Sequence, residues 1–244
     1  WRAGEDARVF QPPDETSRPR RMLRAVLAET TLFRRLSTEQ RDALVEAFQI
    51  FSVPTYRMVI SQGGSGSDFY LVLDGRLFAA MVAPDGRQVG FYALTRAQYF
   101  GELSAIDARP RAITVTATTP CTLARLTAAT FRAWIETAPE VAAALAYDMS
   151  LRTRELTERV FGLVAYDVGT RLRQYLSRLA REAGELRPGG TLAPAPTHET
   201  MASFVGANRE AVSRELSRLA RQGVIETGRQ RIVILDAGAL SDGL

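Results

Sequence analysis

The residues from Ala202 to Arg214, ASFVGANREAVSR, constrain the fold more than any other part of the chain. Ala202 is small enough to let two helices approach closely, Gly206 follows at the place of a turn, and Val212 returns to the shared core. A residue at such a turn often needs a positive φ, which glycine reaches without a Cβ clash. Asn208 can then cap the second helix by accepting from one of its orphan N–H groups. Val212, Leu216, Leu219 and Ala220 fall at i, i+4, i+7 and i+8, an apolar stripe. Glu210, Arg214 and Ser217 point the other way, and Arg209 projects from the first turn. The pattern predicts a helix-turn-helix whose second helix packs with one face and leaves a charged face open.

That open face suits duplex DNA. An arginine can donate two hydrogen bonds to guanine O6 and N7, and a carboxylate can accept from the N4 amino group of cytosine. Arg209, Glu210 and Arg214 are therefore candidate base readers, with Asn208, Ser213, Ser217 and Thr197 as neighbouring DNA contacts. His198 is the only histidine and has no partner cluster, so it reads as a helix-start or phosphate-neighbouring residue and not as a metal ligand. Beyond Gly223, Val224–Glu226 and Arg231–Leu235 flank Gly228 and predict a small hairpin, a wing.

With 244 residues the chain has room for two cored domains. Its formal net charge is only +4 and all 31 basic side chains are arginines, so the position of an arginine says more than the count. No stretch approaches the about eighteen apolar residues of a membrane span, and the expectation is a cytoplasmic protein without membrane partners. Cys121, the single cysteine, cannot form an intrachain disulfide and is expected as a buried strand residue. No nucleophile–base pair, metal cluster or Walker-type phosphate loop is present, which argues against an enzyme.

Along the chain, residues 1–20 read as a tail and 21–136 as a first domain. The latter opens with short helical patterns at Met22, Leu23, Val26 and Leu27 and at Leu44, Val45 and Phe48; Ser37 and Gln40 are placed for a capping box. From about 48 to 128, β-branched and aromatic runs punctuated by glycine predict a β sandwich, barrel or jelly roll. Pro139 tolerates the first turn of a long helix, placed within residues 137–167. Ala142, Ala146, Met149, Thr153, Leu156, Val160 and Leu163 recur in alternating four- and three-residue steps, a seam that calls for a parallel homodimer. Near Asp167 the coupling region ends; Val168, Leu172, Tyr175, Leu176 and Leu179 stripe another helix, and Gly184–Gly190 reads as a loop. Residues 168–244 form a winged helix-turn-helix domain in this reading, giving an α+β chain.

A second chemical constellation is Phe100-Gly101-Glu102-Leu103-Ser104 followed by Arg109-Pro110-Arg111-Ala112-Ile113-Thr114-Val115. Glycine allows close backbone approach, a carboxylate accepts from ribose hydroxyls, and an arginine with nearby N–H groups, including those of a short helical turn between them, holds a phosphate. Together they describe a nucleotide cradle. On this cassette, the glycine-punctuated β region, the long helix and the GANREAVSR helix, residues 21–240 resemble the CRP/FNR superfamily of bacterial transcription regulators, in particular its cyclic AMP receptors. The resemblance implies a cyclic-nucleotide-binding β roll, a dimerisation helix, and cyclic AMP or cyclic GMP as allosteric effector, with no other cofactor and no metal. By the same match Glu102 binds the ribose 2′-hydroxyl and Arg111 the cyclic phosphate, with Gly101, Leu103, Ser104 and Ala112 lining the cradle. Arg209, Glu210 and Arg214 match readers of a TGTGA-like half-site. The positions that present adjacent threonine and serine to adenine hold Leu156 and Thr157, with Thr153 one turn earlier, so the base contact departs from the pattern. Alanine at 112, where some cyclic GMP sites place a hydroxyl, favours cyclic AMP. RNA polymerase is an expected partner, with Gly184–Thr191 as a positional guess for its contact. Alternatives are an effector-independent regulator with a degenerate pocket and a redox or gas sensor; the latter calls for cysteine clusters or histidine ligands that the chain lacks.

Overall fold

The computed structural model describes residues 17–83 and 88–241. In chain order its elements are α1 (Ser17–Glu29), α2 (Thr38–Ala47), β1 (Gln49–Val53), β2 (Met58–Ile60), β3 (Phe69–Asp74), β4 (Leu77–Val82), β5 (Gln88–Leu94), β6 (Tyr99–Phe100), α3 (Glu102–Asp107), β7 (Thr114–Ala117) and β8 (Cys121–Leu126). They continue with α4 (Ala128–Thr137), α5 (Pro139–Ala165), α6 (Val168–Glu182), β9 (Thr191–Leu192), α7 (His198–Val205), α8 (Arg209–Arg221), β10 (Ile225–Gly228), β11 (Arg231–Ile234) and α9 (Ala237–Ser241). Two compact units result: residues up to 78 with 93–148, and 79–92 with 149 onward, so that α5 is shared between them.

In the first unit the Ser37 hydroxyl accepts from Gln40 N and the Gln40 side chain accepts from Ser37 N, the expected capping box of α2. One antiparallel sheet has the order β1-β8-β3-β6, and β2 pairs with β7. Strand β3 buries four of the six residues of FYLVLD, with Tyr70 half-buried and Asp74 exposed, because both of its faces are covered. Phe69 stacks on Phe131 of α4 (centroids 4.3 Å) and on Tyr99 (5.5 Å), and meets Phe33 and Phe48 edge-on or tilted. This aromatic cluster fastens the turn after α1, the end of α2 and α4 to the sheet; such pairs contribute about 0.5–1.5 kcal/mol each beyond area burial. Cys121 is buried at the start of β8. Helix α1 begins at Ser17, within the last residues of the expected tail; Pro19 fits its first turn, where the missing N–H costs nothing. The rest of that tail lies outside the described residues.

In the second unit Leu172, Leu176, Met201, Val212, Leu216, Leu219, Ile225, Ile232 and Ile234 form one core. The wing is the antiparallel pair β10–β11, with Ile225 opposite Ile234, and β9 adds a third strand through Ile232–Leu192 and Val233–Thr191. The sequence reading lacked that strand, because two residues between Gly190 and a proline-rich stretch show no alternation.

Candidate functional sites

Strand β6 delivers Phe100 to a corner at Gly101, whose φ of 84° is reached cheaply by glycine alone. A Cβ there would lie 2.6 Å from Asp68 O and 2.8 Å from Arg111 Nη1. The short helix α3 starts at once with Glu102, 3% exposed, and includes buried Ser104, whereas Leu103 is 48% exposed. Arg111, 4% exposed, donates from Nη1 to Gly101 O (3.1 Å) and from Nη2 to Asp68 O (2.8 Å), with its guanidinium carbon 5.7 Å from the Tyr70 ring centre. Its Nε is buried with no hydrogen-bond partner. Burial lowers the Arg111 pKa, opposed by Tyr70, Asp68 and Glu102; a guanidinium nonetheless stays charged. Ala112 is exposed beside it.

The main chain of Arg111 is paired as well, with its N–H donating to Gly64 O (2.9 Å) and its carbonyl accepting from Gly63 N (2.8 Å). Gly66 faces the guanidinium, and a Cβ on it would lie 3.6 Å from Arg111 Nη2. The Gly63–Asp68 loop and Tyr70 are thus part of this site, although in sequence the glycines of that region read only as punctuation between strands. The signal was available in the run GGSGSD. A buried cation with an unsatisfied donor, a buried carboxylate and a glycine loop together can hold an anion that also carries hydroxyl groups.

In the second unit Gly206 takes a φ of 66°, and Asn208 Oδ1 accepts from Ala211 N at 2.8 Å to cap α8. Val212, Leu216 and Leu219 are buried, while Asn208, Arg209, Glu210, Arg214 and Ser217 are exposed. Ser213 is half-buried, its hydroxyl 3.1 Å from His198 Nδ1, and Ser217 Oγ donates to Ser213 O. The Thr197 hydroxyl caps α7 by accepting from Thr200 N. Arg171 of α6 donates to Tyr166 O, Val205 O and Gly206 O, fastening the end of α7 to the segment after α5.

On α5, Ala142 and Met149 are half-buried, whereas Ala146, Thr153, Leu156, Thr157 and Val160 are exposed. The hydroxyls of Thr153 and Thr157 donate to Met149 O and Thr153 O one turn back. Exposed apolar side chains also include Phe161 and Val164, the latter at 86%. Leu163, placed in the seam by spacing, lies against the helix-turn-helix: a Cβ on Gly206 would come 2.6 Å from its Cδ2. Among the described residues no group of three or more His, Cys, Asp or Glu side chains can hold a metal ion, and no helix is long and apolar enough to cross a membrane.

Comparison with known proteins agrees with this layout. Residues 51–138 match the cyclic nucleotide-binding domain and residues 170–242 the Crp-like helix-turn-helix domain. The chain is 28% identical over 218 residues to the CRP-like cAMP-activated global transcriptional regulator of Mycobacterium tuberculosis, covering 88% of this chain and 97% of the relative. It is 26% identical over 204 residues to the cAMP-activated global transcriptional regulator CRP of Salmonella typhimurium, covering 82% and 97%. Among solved structures, the Thermus thermophilus catabolite activator protein matches with a TM-score of 0.52 at 28% identity, covering 87% and 97%. The c-di-GMP responsive regulator CLP of Xanthomonas campestris has the same fold, with a TM-score of 0.72 at 21% identity over 81% and 99%. With both domains matched in this order around one long helix, the chain belongs to the CRP/FNR superfamily of DNA-binding transcription regulators.

Proposed function

We propose that the protein is a homodimeric transcription regulator whose grip on a TGTGA-like palindrome is set by cyclic AMP, in preference to cyclic GMP. The observation that carries the effector reading is Arg111, a buried guanidinium whose Nε has no partner in a glycine-lined corner beside buried Glu102. A cyclic phosphate supplies the missing acceptor, and the ribose 2′-hydroxyl donates to Glu102. Gly101, Leu103, Ser104 and Ala112 complete the cradle, and Thr153, Leu156 and Thr157 of α5 contact the base. The exposed stripe of Leu156, Val160, Phe161 and Val164 supports pairing of two α5 helices. The relatives' names make cyclic AMP the first effector to test. Arg209, Glu210 and Arg214 read bases, while Asn208, Ser213, Ser217 and Thr197 position the helix. Such a protein works in the cytoplasm, catalyses no reaction, and acts through RNA polymerase, with Gly184–Thr191 as the segment for that contact.

A ligand shifts such a switch only by its differential affinity for two arrangements. Calorimetric titration with each cyclic nucleotide, followed by operator binding at stated salt, tests the reading. Cyclic AMP is expected to bind more tightly and to raise operator affinity, and Arg111→Ala to lose both effects while remaining folded. No binding of either nucleotide, with operator binding intact, would leave an effector-independent regulator.

A further inference from the structure

Asp148 of α5 is the last residue of the first unit, and its Oδ2 accepts two hydroxyls: Tyr99 Oη at 2.9 Å and Thr31 Oγ1 at 2.5 Å. Tyr99 lies in β6, 2% exposed, two residues before Gly101. Gly101 O is one of the acceptors that hold the Arg111 guanidinium, and Phe100, the residue between, stacks on Tyr70 at 5.0 Å. An anion that accepts from Arg111 Nε draws on the same guanidinium whose other nitrogens hold Gly101 O and Asp68 O, so its arrival bears on the Gly101 corner and on the two-residue strand that ends there. Thr31 follows α1 and holds the same carboxylate oxygen from a second side; an oxygen has two lone pairs, so both bonds coexist. Asp148 is thus tied at once to the site's corner strand and to the segment after α1, at the point where the long helix passes from one unit to the next.

We infer that Asp148 and Tyr99 are the positioning pair of the switch: the Tyr99–Asp148 hydrogen bond transmits occupancy at Arg111 to the long helix without either residue touching the effector. This role rests on the effector reading above for the identity of the signal. It makes Tyr99→Phe, which removes one buried hydroxyl and keeps the stacked ring, an uncoupling change and not a binding change.

The test compares full-length wild type with Tyr99→Phe, Asp148→Ala, Asp148→Asn and the Tyr99→Phe/Asp148→Ala double variant. Cyclic AMP affinity is measured by calorimetry, and operator affinity with and without saturating cyclic AMP. Tyr99→Phe is expected to leave cyclic AMP affinity and thermal midpoint unchanged while shrinking the ratio of the two operator affinities about fivefold. The double variant should lose no more than Asp148→Ala alone, because both act through one bond. Asp148→Asn, which keeps an acceptor oxygen, should restore most of the ratio. A wild-type ratio in Tyr99→Phe overturns the inference, as does a loss that merely follows weaker nucleotide binding. If wild type answers to no cyclic nucleotide, the effector reading fails and amide hydrogen exchange decides on the ligand-free protein. Faster exchange over residues 149–158 in Tyr99→Phe then supports the tie to the helix, and unchanged exchange removes it.

Discussion

Gly101 must satisfy two demands at one Cα. Its backbone is left-handed, and there is no room for a side chain between Asp68 O and the Arg111 guanidinium. Gly101→Ala should therefore cost about 1–2 kcal/mol for the backbone alone, read as a lower urea midpoint, and should also displace Arg111 and weaken effector binding. At the other site the demand is chemical, because Arg209 stands exposed at the first position of α8. Arg209→Ala should cost about 1–3 kcal/mol of discrimination at one base pair, with the fold unchanged. Equal losses on operator and random DNA in a binding assay would assign Arg209 to phosphates.

Helix α6 is capped by Asp167, whose carboxylate accepts from Thr170 N at 2.7 Å. The backbone and hydroxyl bonds from Thr170 hold the Asp167 pKa below its ordinary value, with Arg173 and Arg218 adding to them against a small desolvation effect. A depressed folded pKa means that the stabilisation is complete above the unfolded value of about 3.9 and fades as pH falls through the lower folded one. Asp167→Asn keeps a capping oxygen without a charge. The stability of wild type relative to this variant, from urea unfolding, should therefore fall between pH 5 and acid, about where the carboxylate takes its proton. A difference constant with pH would deny the cap its charge. Elements such as α2, α6 and α8 were legible because cap, stripe and length agree within a few consecutive residues. Strand β9 was not, being only two residues long and defined by its partner β11. The Tyr99–Asp148 bond joins residues 49 apart, and no local periodicity announces a contact of that kind. Leu163, still 43% exposed, also touches the bend at Gly206, a contact that its spacing along α5 does not announce.

At the scale of the molecule, one operator half-site is all that a single reading helix can engage; a palindrome needs two, about 34 Å apart on successive turns of the duplex. The exposed apolar side of α5 is the surface available for such pairing, with Val160 at 61% and Phe161 at 59% exposure. Val160→Glu should give a monomer in sedimentation equilibrium and abolish cooperative binding to the palindrome, while each domain melts normally. A dimer that survives the change would place the assembly surface elsewhere. The arginine at 171 bears on how robust such a machine is. Its guanidinium donates to three carbonyls at once, Tyr166 O ahead of α6 and Val205 O and Gly206 O at the end of α7. Because one planar group holds all three oxygens, the segment after α5 and the bend before the reading helix keep their spacing as a unit.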